Sequence, residues 1–436
     1  MREIQPFPEV VRFLDSVCGQ FRAKQLHQEI KDELTVHLDE IYQENLASGM
    51  PAQEAIEAAV ERMGDPRRIG RQLDETHRPR TDWVMIALIA LLSGFGLLAM
   101  YNLNNAEIGD MSYYGYFARK ILFIGIGVMA MSIMWKFDYR KLKKYSEYVF
   151  GLGVFLLWWT NEFGTQVGGQ AAWHSFGTLW FYMPTIAILL MIVGFSGTRP
   201  LHELNGKGSI FLVAYRGVLP IVLLMQMHVN TMAVVYGLIF MIYLWLTKRS
   251  IGQVIAIAAG GAFMVTGVLT RSSYLYSRVS SFLHWKADPQ GVGYHIARST
   301  EAVHSAGWWG TGKLPSQLPY LQAEGVLPGM IYTFGWVAGA VIIMLILLFI
   351  VKTCMTFASI KDGYGKLLFA CIGALFVLQY AWATAMPFGY APYVGISLPL
   401  LSYGGTEQIC HFAALGFLLG IYRRRDMIPS GIAAND

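Results

Sequence analysis

The stretch GISLPLLSYGGTEQICHFAALGFLLGIYRRR, residues 395–425, carries the pattern that decides the fold. A Ser-Tyr-Gly-Gly turn preceded by a proline, Ser402 to Gly405, runs straight into an apolar helix that Arg423 to Arg425 close. Polar, glycine-rich backbone is tolerated at membrane depth only where protein or a watery cavity satisfies its N–H and C=O groups. Pro387 to Gly405 is therefore expected to form a partly re-entrant loop lining an outward-facing cavity. A tight outer-side turn held for packing alone is the alternative. Gly404 and Gly405 would permit close approach and unusual dihedrals, and Thr406 would cap the helix that follows.

The remainder of the chain fits a membrane setting. Its 436 residues are 54% hydrophobic and 14% charged, against about 25% charged in ordinary soluble domains. Mean hydropathy is +0.41. With repeated apolar runs, this excludes a soluble enzyme and predicts a polytopic membrane protein. The net charge of +5 hides an asymmetry: residues 1–80 hold 11 Lys/Arg and 15 Asp/Glu, a net of −4, and the rest of the chain carries +9. An acidic, soluble head thus precedes a basic membrane body. No apolar run precedes Trp83, so no secretory signal peptide is expected. Cys18, Cys354, Cys371 and Cys410 are isolated in sequence and predict no disulfide framework.

Within the head, residues 21–48 place Leu26, Ile30, Leu34, Leu38 and Ile41 on one helical face. Gly49 ends that helix, Pro51 opens a second that runs to Gly64, and Asp65-Pro66 starts a third toward Leu73. The result is a three-helix unit near the lower size limit for independent folding. Its net acidity argues against nucleic acid as a partner.

Ten candidate spans follow, at 83–101, 117–135, 145–160, 181–195, 209–227, 232–247, 251–269, 328–351, 366–385 and 406–422. Each is near the length a helix needs to cross hydrocarbon. Arg140, Lys141, Lys143 and Lys144 follow the second span, Arg199 and Lys207 the fourth, Lys248 and Arg249 the sixth, and Lys352 and Lys361 the eighth. The short loops on the other side, 102–116, 161–180 and 386–405, have no Lys or Arg. The positive-inside rule then puts both termini in the cytoplasm. Arg216, about a turn or two inside the fifth span, is expected to snorkel toward the cytoplasmic edge. His411 in the last span reads as a satisfied core histidine. Residues 270–327 form one long outer loop with Arg271, Arg278, Lys286, Arg298 and Lys313, and acids at Asp288, Glu301 and Glu324. Long connections of this kind are uncommon unless functional or disordered, and aromatic residues beside the basic groups favour function.

Two motifs carry a family resemblance. RVSSFLHWKADPQGVGYHIARSTEAVHSAGWWGTG, residues 278–312, resembles a signature of the SEDS family (shape, elongation, division and sporulation; the RodA/FtsW/SpoVE type) at Arg278, Phe282, Leu283, Asp288, Pro289, Gly291, Gly293, Tyr294, Ser299, Ser305, Gly307, Gly310 and Gly312. The opening stretch is similar to the family's Gly-Ile-x-Leu-Pro-x-x-Ser-Tyr-Gly-Gly motif at Gly395, Ile396, Leu398, Pro399, Ser402, Tyr403, Gly404 and Gly405. The similarity runs from residue 83 to about 425. In the head, His37, Leu38, Gly49, Met50, Glu54, Ala55, Gly64, Asp65 and Pro66 resemble the small HAAS/permease-prefix domains of bacterial membrane proteins. That likeness implies a cytoplasmic regulatory or interaction module over residues 1–80.

The SEDS resemblance implies an all-α fold of about ten transmembrane helices in a bacterial plasma membrane. It implies a glycosyltransferase that polymerises lipid II, an undecaprenyl-pyrophosphate-linked disaccharide peptide, beside a single-span transpeptidase of the penicillin-binding class. Such chemistry needs a carboxylate to take the proton from the attacking sugar hydroxyl and cations to stabilise the departing pyrophosphate. Arg278, Lys286, Arg298 and Lys313, with Asp288, Glu301 and the Ser402–Gly405 turn, are the candidate substrate-binding groups. For the basic residues, contact with membrane lipid headgroups or an ion pair, such as Arg298 with Glu301, is the structural alternative. No cofactor is identified: no His, Cys or carboxylate cluster has ligand spacing, and a divalent cation is left open.

Several family positions are altered. An alignment through Gly339 puts Gly325 where the family carries an essential aspartate, and Glu324 one residue earlier, about 3.8 Å away along the backbone. Glu324 is therefore the candidate base, with Asp288 and Glu301 behind it. The family's Gln-Pro-Asp-Leu-Gly-Thr motif reads QMHVNT, with His228 in place of the acid. Its Asn-Gly-Ala-x-Arg-Trp motif reads GGQAAW, with Ala172 in place of the arginine, and its Gln-Pro-Ser-Glu motif reads MPTI. Three functions follow: a divergent glycan polymerase, a catalytically inactive member that binds lipid-linked precursor or a partner, and a precursor flippase. Against the last, the sequence has no inverted-repeat signal.

Overall fold

The computed structural model describes residues 7–20, 27–76, 80–105, 115–177, 179–198, 211–247, 252, 259–261, 280, 282–291 and 293–425. They fall into two compact units, Met1–Thr81 with Tyr422–Asp436, and Asp82–Ile421.

The first unit holds α1 (Pro8–Gln20), α2 (His27–Ala47), α3 (Ala52–Met63) and α4 (Pro66–Thr76). Sequence reading anticipated the last three. α1 is additional, and its Val10, Phe13, Leu14 and Val17 bury one helical face against Leu38, Tyr42, Ala55, Ile56 and Ala59. α4 lies so close to α1 that a Cβ on Gly70 would sit 2.6 Å from the Val17 carbonyl oxygen.

The second unit runs α5 (Trp83–Asn105), α6 (Tyr116–Lys136), α7 (Arg140–Lys143), α8 (Ser146–Phe163), β1 (Thr165–Val167), β2 (Gln170–Phe176), β3 (Leu179–Tyr182), α9 (Met183–Gly197), α10 (Phe211–Gln226), α11 (Asn230–Leu246), α12 (Tyr294–Ser305), α13 (Val326–Ser359), α14 (Gly363–Ala385) and α15 (Gly405–Arg424). Helices stand at all the expected spans except 251–269, most of which lies outside the described residues. α5, α6, α13 and α14 are long and apolar enough to cross a membrane, and α9, α10 and α11 are shorter apolar helices. The architecture is that of a polytopic helical membrane protein.

Residues 161–180, read from sequence only as a short loop without basic residues, hold most of the one β-sheet among the described residues, which extends to Tyr182. β1, β2 and β3 form an antiparallel sheet in that order, with Trp173 paired to Tyr182 and their rings 4.9 Å apart. Gly168 and Gly169 turn the first hairpin with φ of 59° and 81°, the pair of left-handed residues that a tight right-twisted hairpin demands. Arg216 also departs from expectation. It does not snorkel: it is 1% exposed, is paired with Glu147 of α8, and sits in a π-helical turn, Ala214–Val218. That wider turn frees the Arg216 carbonyl to accept the Tyr236 hydroxyl. An available carboxylate on the neighbouring helix removed the need to reach water.

Two features position the outer segments. α13 is broken at Gly335, where φ is 86° and ψ 175°, and Gly307–Gly312 docks into the break. The Trp336 N–H donates to Gly307 O at 3.0 Å, Val337 N–H to Trp308 O at 3.3 Å, Thr311 N–H to Tyr332 O at 2.9 Å and Gly312 N–H to Thr333 O at 3.1 Å. These bonds satisfy groups that the interrupted ladder would leave orphaned. The approach is close: a Cβ on Gly335 would lie 2.1 Å from Trp308 O, and one on Gly310 would lie 2.3 Å from Thr333 O.

The second feature satisfies the polar backbone at the Ser-Tyr-Gly-Gly turn. Lys120 of α6 is 1% exposed, and its Nζ donates to the carbonyls of Leu400 at 3.0 Å, Leu401 at 2.7 Å and Ser402 at 2.8 Å. Three acceptors require three N–H bonds, which only a protonated amine carries. The Tyr380 hydroxyl donates to Pro399 O at 3.1 Å, so four successive carbonyls are satisfied from neighbouring helices. Gly96 of α5 closes the packing, since a Cβ there would lie 2.6 Å from Leu400 O and 2.8 Å from the Lys120 Nζ.

Gly335→Ala combines a left-handed backbone with a steric collision. It is expected to lower stability by on the order of 3 kcal/mol, read as a fall in the unfolding midpoint of the purified protein. Lys120→Met leaves three carbonyls without donors, at about 1–3 kcal/mol each. Hydrogen exchange at the Ser402 and Tyr403 amides is expected to accelerate about 100-fold, while exchange within α1–α4 is unchanged.

Candidate functional site around the Pro387–Gly405 loop

Between α14 and α15 the chain forms a loop that several other segments hold in place. Thr231 Oγ1 of α11 donates to Val394 O at 2.6 Å, Thr300 of α12 to Pro387 O at 3.3 Å, and the Trp382 indole to Pro392 O at 3.1 Å. Ser402 Oγ accepts from the Leu398 N–H at 3.0 Å and donates to Ala323 O at 2.8 Å. The Tyr403 N–H donates to Gln322 O at 2.7 Å. The turn carrying Glu324 is thereby pinned to the Ser-Tyr-Gly-Gly motif.

Glu324 is half-buried, and its Oε1 lies 3.5 Å from where a Cβ on Gly395 would stand. Gly395 has a φ of 65°. Tyr393 is 5% exposed, with Ser299 Oγ of α12 3.5 Å from its hydroxyl. Burial pushes the Tyr393 hydroxyl up, and the nearby Glu324 charge acts in the same direction. His295 stacks between Tyr320, centroids 5.6 Å apart, and Tyr393, 5.4 Å apart. One aromatic stack therefore joins α12, the Glu324 turn and the loop. Among the described residues, the non-glycine positions with left-handed backbone are His228, Tyr320 and Leu400. All three lie in segments that meet here, and such strain concentrates at functional sites.

Gly325, where the family resemblance expects an aspartate, is closed to a side chain. A Cβ there would lie 2.8 Å from Pro319 O and 3.0 Å from Tyr320 O, and its N–H donates to Tyr320 O at 3.0 Å. Ala172, in place of the expected arginine, is completely buried.

The other candidate residues are more dispersed. Arg298 pairs with Glu301 at 2.6 Å, and both line a cleft of about 230 Å³ with Ser316, Gln317 and Tyr332. His295 and Ser299 of the same helix point instead to Tyr393. Lys286 Nζ lies 5.5 Å from the Trp285 ring centroid. Asp288 Oδ1 accepts from the Gly291 N–H at 2.9 Å, which builds a local turn. Lys313 is exposed, and its carbonyl accepts from Thr333. Arg278 lies outside the described residues. Tyr403 packs edge-on to Tyr116 at 5.0 Å, so Ser402 and Tyr403 act as clamps for the turn.

Gly404 and Gly405 do not take left-handed angles; the left-handed positions of the loop are Gly389, Gly395 and Leu400. Close approach does hold at Gly405, where a Cβ would meet the Phe123 ring at 2.7 Å. Thr406 does not cap α15. Its hydroxyl accepts from the Tyr182 N–H at 3.3 Å and contacts Trp180 O at 3.4 Å, joining α15 to β3. His411 is satisfied by Gln379 at 3.1 Å. Sequence reading missed Lys120, His295 and Tyr393. Lys120 had a signal, a charge inside the apolar run 117–135; the other two had none. Among the described residues, no three His, Cys, Asp or Glu side chains gather as a metal site.

The FtsW/RodA/SpoVE family model, described as a cell cycle protein, matches residues 82–427. The peptidoglycan glycosyltransferase MrdB of Escherichia coli K12 is 25% identical over 373 residues, covering 82% of this chain and 97% of that protein. Stage V sporulation protein E of Bacillus subtilis is 24% identical, covering 80% and 98%. Among solved structures, a peptidoglycan synthase complex chain superposes with a TM-score of 0.67 at 20% identity, covering 79% of this chain and 98% of that one. RodA of Thermus thermophilus gives 0.60 at 16% identity, covering 79% and 97%. The family model spans nearly all of the membrane unit, and relatives and solved structures agree with it along most of their own length: the chain belongs to the FtsW/RodA/SpoVE (SEDS) family.

Proposed function

We propose that the protein is a peptidoglycan glycosyltransferase of a bacterial plasma membrane that polymerises lipid II, with Glu324 as the general base. Support comes from relatives that carry this activity in their names, and from one observation above all. Glu324 is the acid in the outer segment whose turn is bonded at two successive carbonyls to the Ser-Tyr-Gly-Gly motif.

In the reaction, a sugar hydroxyl of one lipid-linked disaccharide attacks the anomeric carbon of the other. Its proton passes to the Glu324 carboxylate, the new glycosidic bond forms, and the bond to the pyrophosphate oxygen breaks. The pyrophosphate leaves with its electron pair, and Lys286 and Lys313 of the outer loop supply positive charge toward it. The distribution of basic residues supports cytoplasmic termini, and the acidic head would act there as a regulatory module. A single-span transpeptidase of the penicillin-binding class is the partner. The likeness to a peptidoglycan synthase complex that coordinates polymerization and crosslinking supports this pairing. The process served is cell shape, division or sporulation.

The packing at Gly325 favours a second reading, a member that binds precursor without catalysis. Polymerisation of purified lipid II by the purified chain, alone and with a transpeptidase, separates the two. Glu324→Gln should reduce the rate by about 10²–10⁴-fold without changing the unfolding midpoint. Full activity in that variant removes Glu324 from the mechanism, and no product from the unmodified chain under either condition supports the precursor-binding reading.

A further inference from the structure

Trp308 and Trp309 are 75% and 82% exposed, although the backbone around them is bonded to α13. Trp308 O accepts from the Val337 N–H, and the flanking Gly307 and Gly310 meet α13 on either side of its break. Two adjacent indoles presented to the surroundings from a held backbone expose a large apolar area.

The surface of α13 indicates what covers them. Beyond the break, the exposed residues include Val337, Val341, Met344, Leu348, Val351 and Met355, spaced by three or four along one apolar stripe that Leu347 broadens. From Val337 to Met355 the helix rises about 27 Å, close to the roughly 30 Å thickness of bilayer hydrocarbon. Near the far end, Lys352 pairs with Asp82 at 3.1 Å, and Asp82 caps the start of α5, as befits one polar boundary. The Trp308 carbonyl is bonded to the first residue of the stripe and so marks the opposite boundary. Trp336 stacks on Phe388 at 5.9 Å, which brings the end of α14 to the same level, and Tyr390, 82% exposed, follows directly.

We propose that Trp308 and Trp309 form a fixed two-indole anchor seated in the lipid interface, at the end of α13 remote from Lys352. Indoles favour this boundary because their ring bodies prefer an apolar setting while the N–H remains hydrated. The anchor sets the height of the outer segment over the bilayer and does not depend on whether the protein catalyses polymerisation.

The test uses the full chain labelled with 5-fluorotryptophan in phosphatidylcholine–phosphatidylglycerol nanodiscs, observed by fluorine NMR. Trp308→Phe and Trp309→Phe identify the two resonances among those of the 12 tryptophans, and Tyr replacements provide the same assignment if a Phe variant fails to fold. Both resonances should broaden at least threefold more with a nitroxide at the top of the lipid acyl chain than with a soluble gadolinium chelate. Broadening by the chelate alone, or by neither agent, overturns the proposal; the first result would leave the pair free for a protein partner.

Discussion

A single buried amine holds the loop between α14 and α15 in place. The loop between α14 and α15 brings polar backbone among apolar helices, and each carbonyl left without a donor there would cost about 1–3 kcal/mol. Lys120 meets three of them at once. With Leu398 to Ser402 fixed, Ser402 and Tyr403 hold the carbonyls of Ala323 and Gln322, and Glu324 follows as the next residue in the turn. The position of the candidate base is thus set by a charge on a helix distant in sequence.

A second constraint acts from the other side. The broken α13 needs hydrogen-bonding partners for its freed backbone groups, and Gly307–Gly312 supplies them at a separation that only glycine permits at positions 310 and 335. The outer segment is consequently fastened both to the helix break and to the loop. α12 lies between these points, with His295 and Ser299 turned toward Tyr393 and Arg298 and Glu301 turned toward the cleft.

The apolar runs and the charge distribution made the membrane helices legible in the sequence, because burial in lipid imposes length and composition directly. The Ser-Tyr-Gly-Gly turn was legible as backbone that needed partners, but their identity was not. Lys120 sits inside an apolar run, apart from the loop charges that the positive-inside rule weighs. The small sheet at residues 165–182 was missed because its strands are short and carry little alternation. Arg216 illustrates a different limit: hydropathy gives its depth but cannot reveal that Glu147 faces it. Tyr393 and His295 belong to no periodic pattern, and only the packing of three distant segments joins them.

Gly325 has a consequence for how this sequence can change over time. Glycine and aspartate codons can differ by a single base, so an acid at this position is genetically within easy reach. The carbonyls of Pro319 and Tyr320 nevertheless occupy the space its first carbon would need. An aspartate at this position would require the preceding turn to shift first, so backbone geometry, and not the number of base changes, stands in the way of that substitution.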